Sequence, residues 1–119
     1  MSHTTNIKIN VTDLQALENA CKRLGLDLKE GEFKLYSSTQ VGIGVTLPGW
    51  KYPVVFNLKT GTVAYDNYNG NWGNIQELNK LVAYYGLEKA KIEARKKGYS
   101  YYESYDQNKN EICLVIEGV

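Results

Sequence analysis

The stretch NIQELNKLVAYYGLEKAKIEARKKG, residues 74–98, decides the fold. Its apolar positions Ile75, Leu78, Val82 and Tyr85 recur with the 3.6-residue period of a core-facing helical stripe. Asn74 stands where an N-cap belongs, and Gly98 where a helix stops. Tyr84-Tyr85-Gly86 is the weak point, since Gly costs about 1 kcal/mol relative to Ala inside a helix, and it predicts one bent element or two abutting helices. Beyond it Leu87, Ala90 and Ala94 continue a narrower strip, while Lys89, Lys91, Arg95, Lys96 and Lys97 suit the negative end of the macrodipole. These are packing residues and ordinary surface residues, so the helix announces no chemistry.

Working outward, the segments on either side read as short strands that need this helix. Ile7, Ile9 and Val11 alternate with polar residues as a first strand. Thr12-Asp13-Leu14-Gln15 reads as a capping box, and Leu14, Leu17, Cys21 and Leu24 form a one-sided stripe up to Gly25. Phe33 and Leu35, then Val41, Ile43, Val45 and Leu47, describe two further strands, the second with a face paved by Gly42 and Gly44. Strand glycines mark a bulge, a bend or the close approach of another group, which leaves both packing and a ligand-facing surface open. Pro48-Gly49 turns the chain, Val54 to Leu58 and Val63 to Tyr65 flank Thr60-Gly61 as a hairpin, and the alternation from Tyr99 to Tyr105 with Ile112, Leu114 and Ile116 closes a last one.

The order β-α-β-β-β-β-α-β-β predicts one α+β domain over residues 1–119. It is a two-layer sandwich whose antiparallel-rich sheet of about six or seven strands carries both helices on one face. The opposite face then needs solvent or a second subunit, and a homo-oligomer is expected. A chain of 119 residues has room for one core. Fourteen Lys and Arg against 13 Asp and Glu give a net charge of +1, which excludes a global pull on nucleic acid or an anionic membrane. With no long apolar run or signal-like segment, and with Cys21 and Cys113 far apart and on apolar stripes, the reading is a cytoplasmic protein with two buried thiols.

Enzyme classes find little support, and neither a cofactor nor a metal site is expected. The lone His3 sits in a polar terminal segment, so no His-based triad or His-rich metal site can be assembled. Gly70-Asn71-Trp72-Gly73 lacks the spaced glycines and lysine of a phosphate loop, although the helix N-terminus after it is a generic anion site. Glu30 with Glu32, Glu77, and Glu88 with Glu93 fall on faces that should be solvated. Ten tyrosines beside two phenylalanines and two tryptophans suit strands and half-wet surfaces alike.

Binding is therefore the expected activity. Trp50, Lys51, Tyr52, Tyr68 and Trp72 lie in loops where a core role is least expected, and with Arg95 they are the candidate ligand-binding residues. Rings would stack a base while Lys51, Arg95 or loop amides meet phosphate, so the expected ligand is nucleotide-like. The same aromatics would anchor a protein partner instead. A third reading is RNA or single-strand binding through Lys89, Lys91, Arg95, Lys96 and Lys97 with Tyr99 and Tyr101.

Two ends of the chain carry a resemblance. Met1-Ser2-His3-Thr4, Ile7-Lys8 and Val11-Thr12-Asp13-Leu14 open it, and Tyr84-Tyr85, Glu88, Glu93-Ala94-Arg95-Lys96-Lys97-Gly98-Tyr99 and the strand from Glu111 to Ile116 close it. Together, covering about half of the chain, they resemble the hypothetical chloroplast reading-frame thirty-five family of cyanobacteria, algal plastids and some of their viruses. Val41 to Val45 and the Trp72 loop depart from it. The family supplies no catalytic residues. Its viral members imply a small accessory protein acting on a host signalling or defence pathway in the host cytoplasm.

Overall fold

The computed structural model describes residues 3–118. The elements run β1 (Thr5–Lys8), α1 (Leu14–Leu24), β2 (Leu28–Lys34), β3 (Thr39–Val45), β4 (Val54–Asn57), β5 (Thr62–Tyr65), α2 (Ile75–Lys96), β6 (Ser100–Asp106) and β7 (Glu111–Glu117). The α+β class and the order of elements are those the periodicities predict. The seven strands divide between two antiparallel sheets, one of five in the order β1-β5-β4-β3-β2 and one of two, β6-β7. The division follows from lengths. A 22-residue helix spans about 33 Å, against roughly 13–23 Å for strands of four to seven residues, so α2 outruns the sheet. The tight link after it, with Gly98 at φ 76° and Tyr99 N–H bonded to the Ala94 carbonyl, cannot carry the chain back to a sheet edge.

α2 passes through Gly86 as one continuous helix, and Asn74 caps it by accepting from Gln76 N–H at 2.9 Å. α1 is capped by Asp13, one residue later than the box motif indicates: its carboxylate accepts from Ala16 N–H at 3.2 Å, and Gln15 bonds Asn19. The Thr12 N–H is already engaged, because the Tyr85 hydroxyl accepts from Thr12 N–H at 3.1 Å and Asp13 N–H at 3.0 Å. Lys89 adds an ion pair to Asp13 at 2.9 Å. The two helices are thus docked through the start of α1. Between them and the sheet lies the core, with Leu17, Cys21, Leu78 and Leu81 facing Ile43, Val45, Val54, Phe56 and Val63.

The opposite face of the sheet is not open. In a straight hairpin, register pairs Leu28 with Val45 and Val45 with Val54, which puts the β2–β3 turn about 23 Å from that end of the sheet. Yet the turn residue Tyr36 lies 5.3 Å, ring centroid to centroid, from Trp72, and Ser38 is hydrogen-bonded to Thr4. Both partners belong to the Tyr65 end of β5, where Thr5 pairs with Tyr65. The hairpin must therefore fold back over its own sheet. It folds where Gly31 pairs with Gly42, a position at which a Cβ on residue 42 would overlap the Phe56 carbonyl oxygen. Phe33 then lies across Gly44: a Cβ there would sit 2.6 and 2.7 Å from two ring carbons. The glycine pavement is a packing device, and Leu35, Val55 and Ala64 are buried. The chain itself covers the face for which a second subunit is one expected cover.

Candidate functional site

Folding the hairpin back has a chemical consequence at the sheet end where the β3–β4 loop and the β5–α2 loop meet. The second of these begins at Asp66, whose buried carboxylate accepts from Tyr68 N–H at 3.2 Å. Tyr68 and Asn69 take left-handed backbone, at φ 45° and 52°. The Asn67 carbonyl accepts from Gly70 and Trp72, and the Asn71 amide donates to the Tyr68 carbonyl at 2.8 Å. Asn and Gly populate this loop because they tolerate such turns. Lys51 N–H donates to the Trp72 carbonyl at 2.8 Å and stitches the two loops together.

Trp50 is the pedestal of this arrangement and not part of its surface. Its ring is buried, stands edge-on to Tyr65 at 5.8 Å and donates Nε1–H to the Asn74 carbonyl at 3.0 Å. Gly73 exists for it, since a Cβ there would meet the indole at 2.6 Å. The expectation of a binding role for Trp50 is corrected on this burial.

Trp72 is half-buried at the centre of three tyrosines. Tyr68, Tyr36 and Tyr52 place their ring centroids 4.8, 5.3 and 5.6 Å from it, all tilted or edge-on. The Lys51 ammonium stands 4.5 Å above the Trp72 ring and 5.7 Å from that of Tyr52. No carboxylate among the described residues pairs with Lys51, so its charge is available to a ligand. Of the six sequence candidates, Lys51, Tyr52, Tyr68 and Trp72 come together. Tyr36 joins them as well, and no local signal in the sequence places a β2–β3 turn residue there.

Arg95 does not join them. It lies about 30 Å along α2 from the helix start beside the patch, and its guanidinium bonds the Tyr101 hydroxyl. Apart from Lys97, the rest of the basic run is also spoken for. Lys89 pairs with Asp13 and Glu93, Lys91 with Glu88 and Glu103, and Lys96 lies 3.8 Å from Glu93. Hydrogen bonds to Asp13 and Glu93 hold Lys89 above the usual lysine range. A stripe so neutralised offers little to phosphate backbones.

No family model, curated protein or solved structure matches the chain.

Other chemistry-bearing residues fall into ordinary places. Burial pushes the Cys21 thiol up to about 11, which leaves it protonated and unreactive. Cys113, expected to be buried, is half-buried on the two-stranded sheet. Among the described residues no group of three or more His, Cys, Asp or Glu is placed to hold a metal ion. No described helix is long and apolar enough to cross a membrane.

Proposed function

We propose that the protein is a non-enzymatic binding module whose patch of Tyr36, Lys51, Tyr52, Tyr68 and Trp72 takes a small nucleotide-like ligand. The observation that carries this is the convergence of three tyrosine rings from three separate loops on one half-buried indole, with an ammonium above it that no described carboxylate pairs. A base stacks on the aromatic faces, and Lys51 swings from the Trp72 ring to the phosphate. One cation suits a monophosphate or a cyclic phosphate better than a chain of phosphates. If the chain belongs to the family that its two ends resemble, sequestration of a host signalling nucleotide in the host cytoplasm is the role this chemistry would serve.

Tryptophan emission tests the proposal, because the half-buried Trp72 lies within the patch and Trp50 is buried. Adenosine and guanosine monophosphates, in cyclic and linear forms, should quench emission saturably at concentrations up to about 1 mM, and the Trp72→Phe variant should lose the signal. Lys51→Ala should weaken nucleotides about tenfold, as loss of one charge-assisted phosphate contact predicts, and leave nucleosides unchanged. Absence of quenching by every member of the panel overturns the proposal. If a protein retained from host lysate is lost on Trp72→Ala, the patch is an interface instead.

A further inference from the structure

The β6–β7 hairpin is tied to the rest of the molecule through one strand and one face. Arg23 makes two 2.7 Å hydrogen bonds to Glu103 on β6, Lys91 bonds Glu103 and Glu88, and Arg95 bonds Tyr101. This clamp turns Tyr101, Glu103 and Tyr105 towards the helices, and with them their register partners Ile116, Leu114 and Ile112. No β7 side chain forms a hydrogen bond or ion pair among the described residues.

Strand β7 reads Glu111-Ile112-Cys113-Leu114-Val115-Ile116-Glu117. A strand with one solvated face alternates apolar with polar residues, and this one does not, since Cys113 and Val115 are apolar on the face turned from α2. Yet no residue of β6 or β7 is buried, and neither strand pairs with a third among the described residues. Tyr102, opposite Val115 on that outer face, is 53% exposed. Free sheet edges are ordinarily guarded by charge, by Pro or by shortness. The five-stranded sheet follows this rule: β2 carries Lys29, Glu30, Glu32 and Lys34, and β1 has four residues and ends in Lys8. On the small sheet β6 has Glu103 midway along it, whereas β7 holds neither a charge between its terminal glutamates nor a Pro.

We propose that β7 pairs with β7 of a second copy, antiparallel about a two-fold axis at Cys113, joining two hairpins into one four-stranded sheet. Charge and apolar matching select that register. A two-fold at Leu114 sets Glu111 opposite the partner's Glu117 twice over, and like charges directly opposite are destabilising. One at Val115 sets Cys113 against the partner's Glu117, and one at Ile112 sets Leu114 against the partner's Asn110. At Cys113, Ile112 lies opposite the partner's Leu114, the two thiols face each other, Glu111 meets Val115, and Lys109 of the turn comes towards the partner's Glu117. A seam of one strand from each copy is small, so a Kd of about 10–100 μM is expected.

Sedimentation velocity from about 2 to 500 μM should show monomer giving way to dimer. Cys113→Lys places two ammonium groups opposite each other and should leave a monomer with unchanged circular dichroism. Ser104→Lys, on the same face but one strand away from the seam, should still dimerise. Diamide should link Cys113 to its counterpart, because directly opposed strand residues lie about 4.5–5.5 Å apart between α-carbons, within disulfide reach. One S–S bond forms there as the two thiols pass their hydrogens to the reagent, which becomes a hydrazine. Cys21 is buried and should stay reduced, and Cys113→Ser should lose the link but keep the reversible dimer. A monomer at about 500 μM, a dimer that survives Cys113→Lys, or a dimer whose Cys113 thiols fail to link would each overturn the proposal.

Discussion

Replacing Gly44 by Ala tests the folded-back hairpin directly. The new Cβ would stand 2.6 and 2.7 Å from two Phe33 ring carbons, and a carbon–carbon contact needs roughly 3.5 Å, so the ring must move by about 1 Å or leave. Overpacking of this kind costs about 1–3 kcal/mol, and removing a strand glycine offsets about 0.5–1 kcal/mol of that, for a net loss of about 1–2 kcal/mol. Phe33→Ala alone loses a half-buried ring, again about 1–2 kcal/mol. In the double variant the obstruction is gone, and the second substitution should become neutral or mildly stabilising. The expected coupling is therefore about 2 kcal/mol, read by urea denaturation as midpoint shifts of about 1 M in each single variant with little further shift in the double. Additivity within about 0.5 kcal/mol would refute the reasoning, because two residues that do not touch do not couple.

Two further predictions concern the helices and the clamp. Tyr85→Phe removes the hydroxyl that accepts from Thr12 and Asp13 N–H, and should cost about 1–3 kcal/mol, a fall in Tm of several degrees by calorimetry, with the secondary structure retained. Glu103 is held at about 2, against an ordinary 4.5, chiefly by its hydrogen bonds to Arg23 and then Lys91. A carboxylate depressed in the folded state contributes stability that is complete above its unfolded pKa and is lost as pH falls from about 4.5 towards 2. Amide exchange in β6 and β7 should accordingly quicken over that window before exchange in β3 to β5 does, and Glu103→Gln should flatten the difference.

How far the sequence can be read depends on whether the deciding interaction is local. Helix α2, its Asn74 cap and the stop at Gly98 are legible because period, cap and terminator lie within one stretch. The β4–β5 and β6–β7 hairpins are legible for the same reason. The box motif points to a cap for α1 one residue too early because Tyr85, 73 positions away, takes the Thr12 amide. Trp50 and Trp72 sit in similar loops flanked by Gly, Pro and Asn, yet one ring is pinned under Gly73 and the other is half-buried among tyrosine rings. Only the spacing of Trp50 from the buried Leu47 hints at the difference.

The strand glycines mark the limit of local reading. Gly42 and Gly44 stand out in sequence, but their meaning depends on Gly31, which becomes the opposite member of a fold only through register. Once the hairpin bends there, Phe33 has its seat on Gly44, the back of the sheet is covered, and Tyr36 is carried about 20 Å to the side of Trp72. The same three glycines therefore make both the second layer of the core and one wall of the candidate site. A loop aromatic patch is ordinarily free to vary without cost to the fold. Here Tyr36 is held by the interaction that closes the sheet, so the patch is rigid on that side. Rigidity of this kind lowers the ordering cost of binding, which favours a preformed ligand surface over a chance cluster of exposed rings.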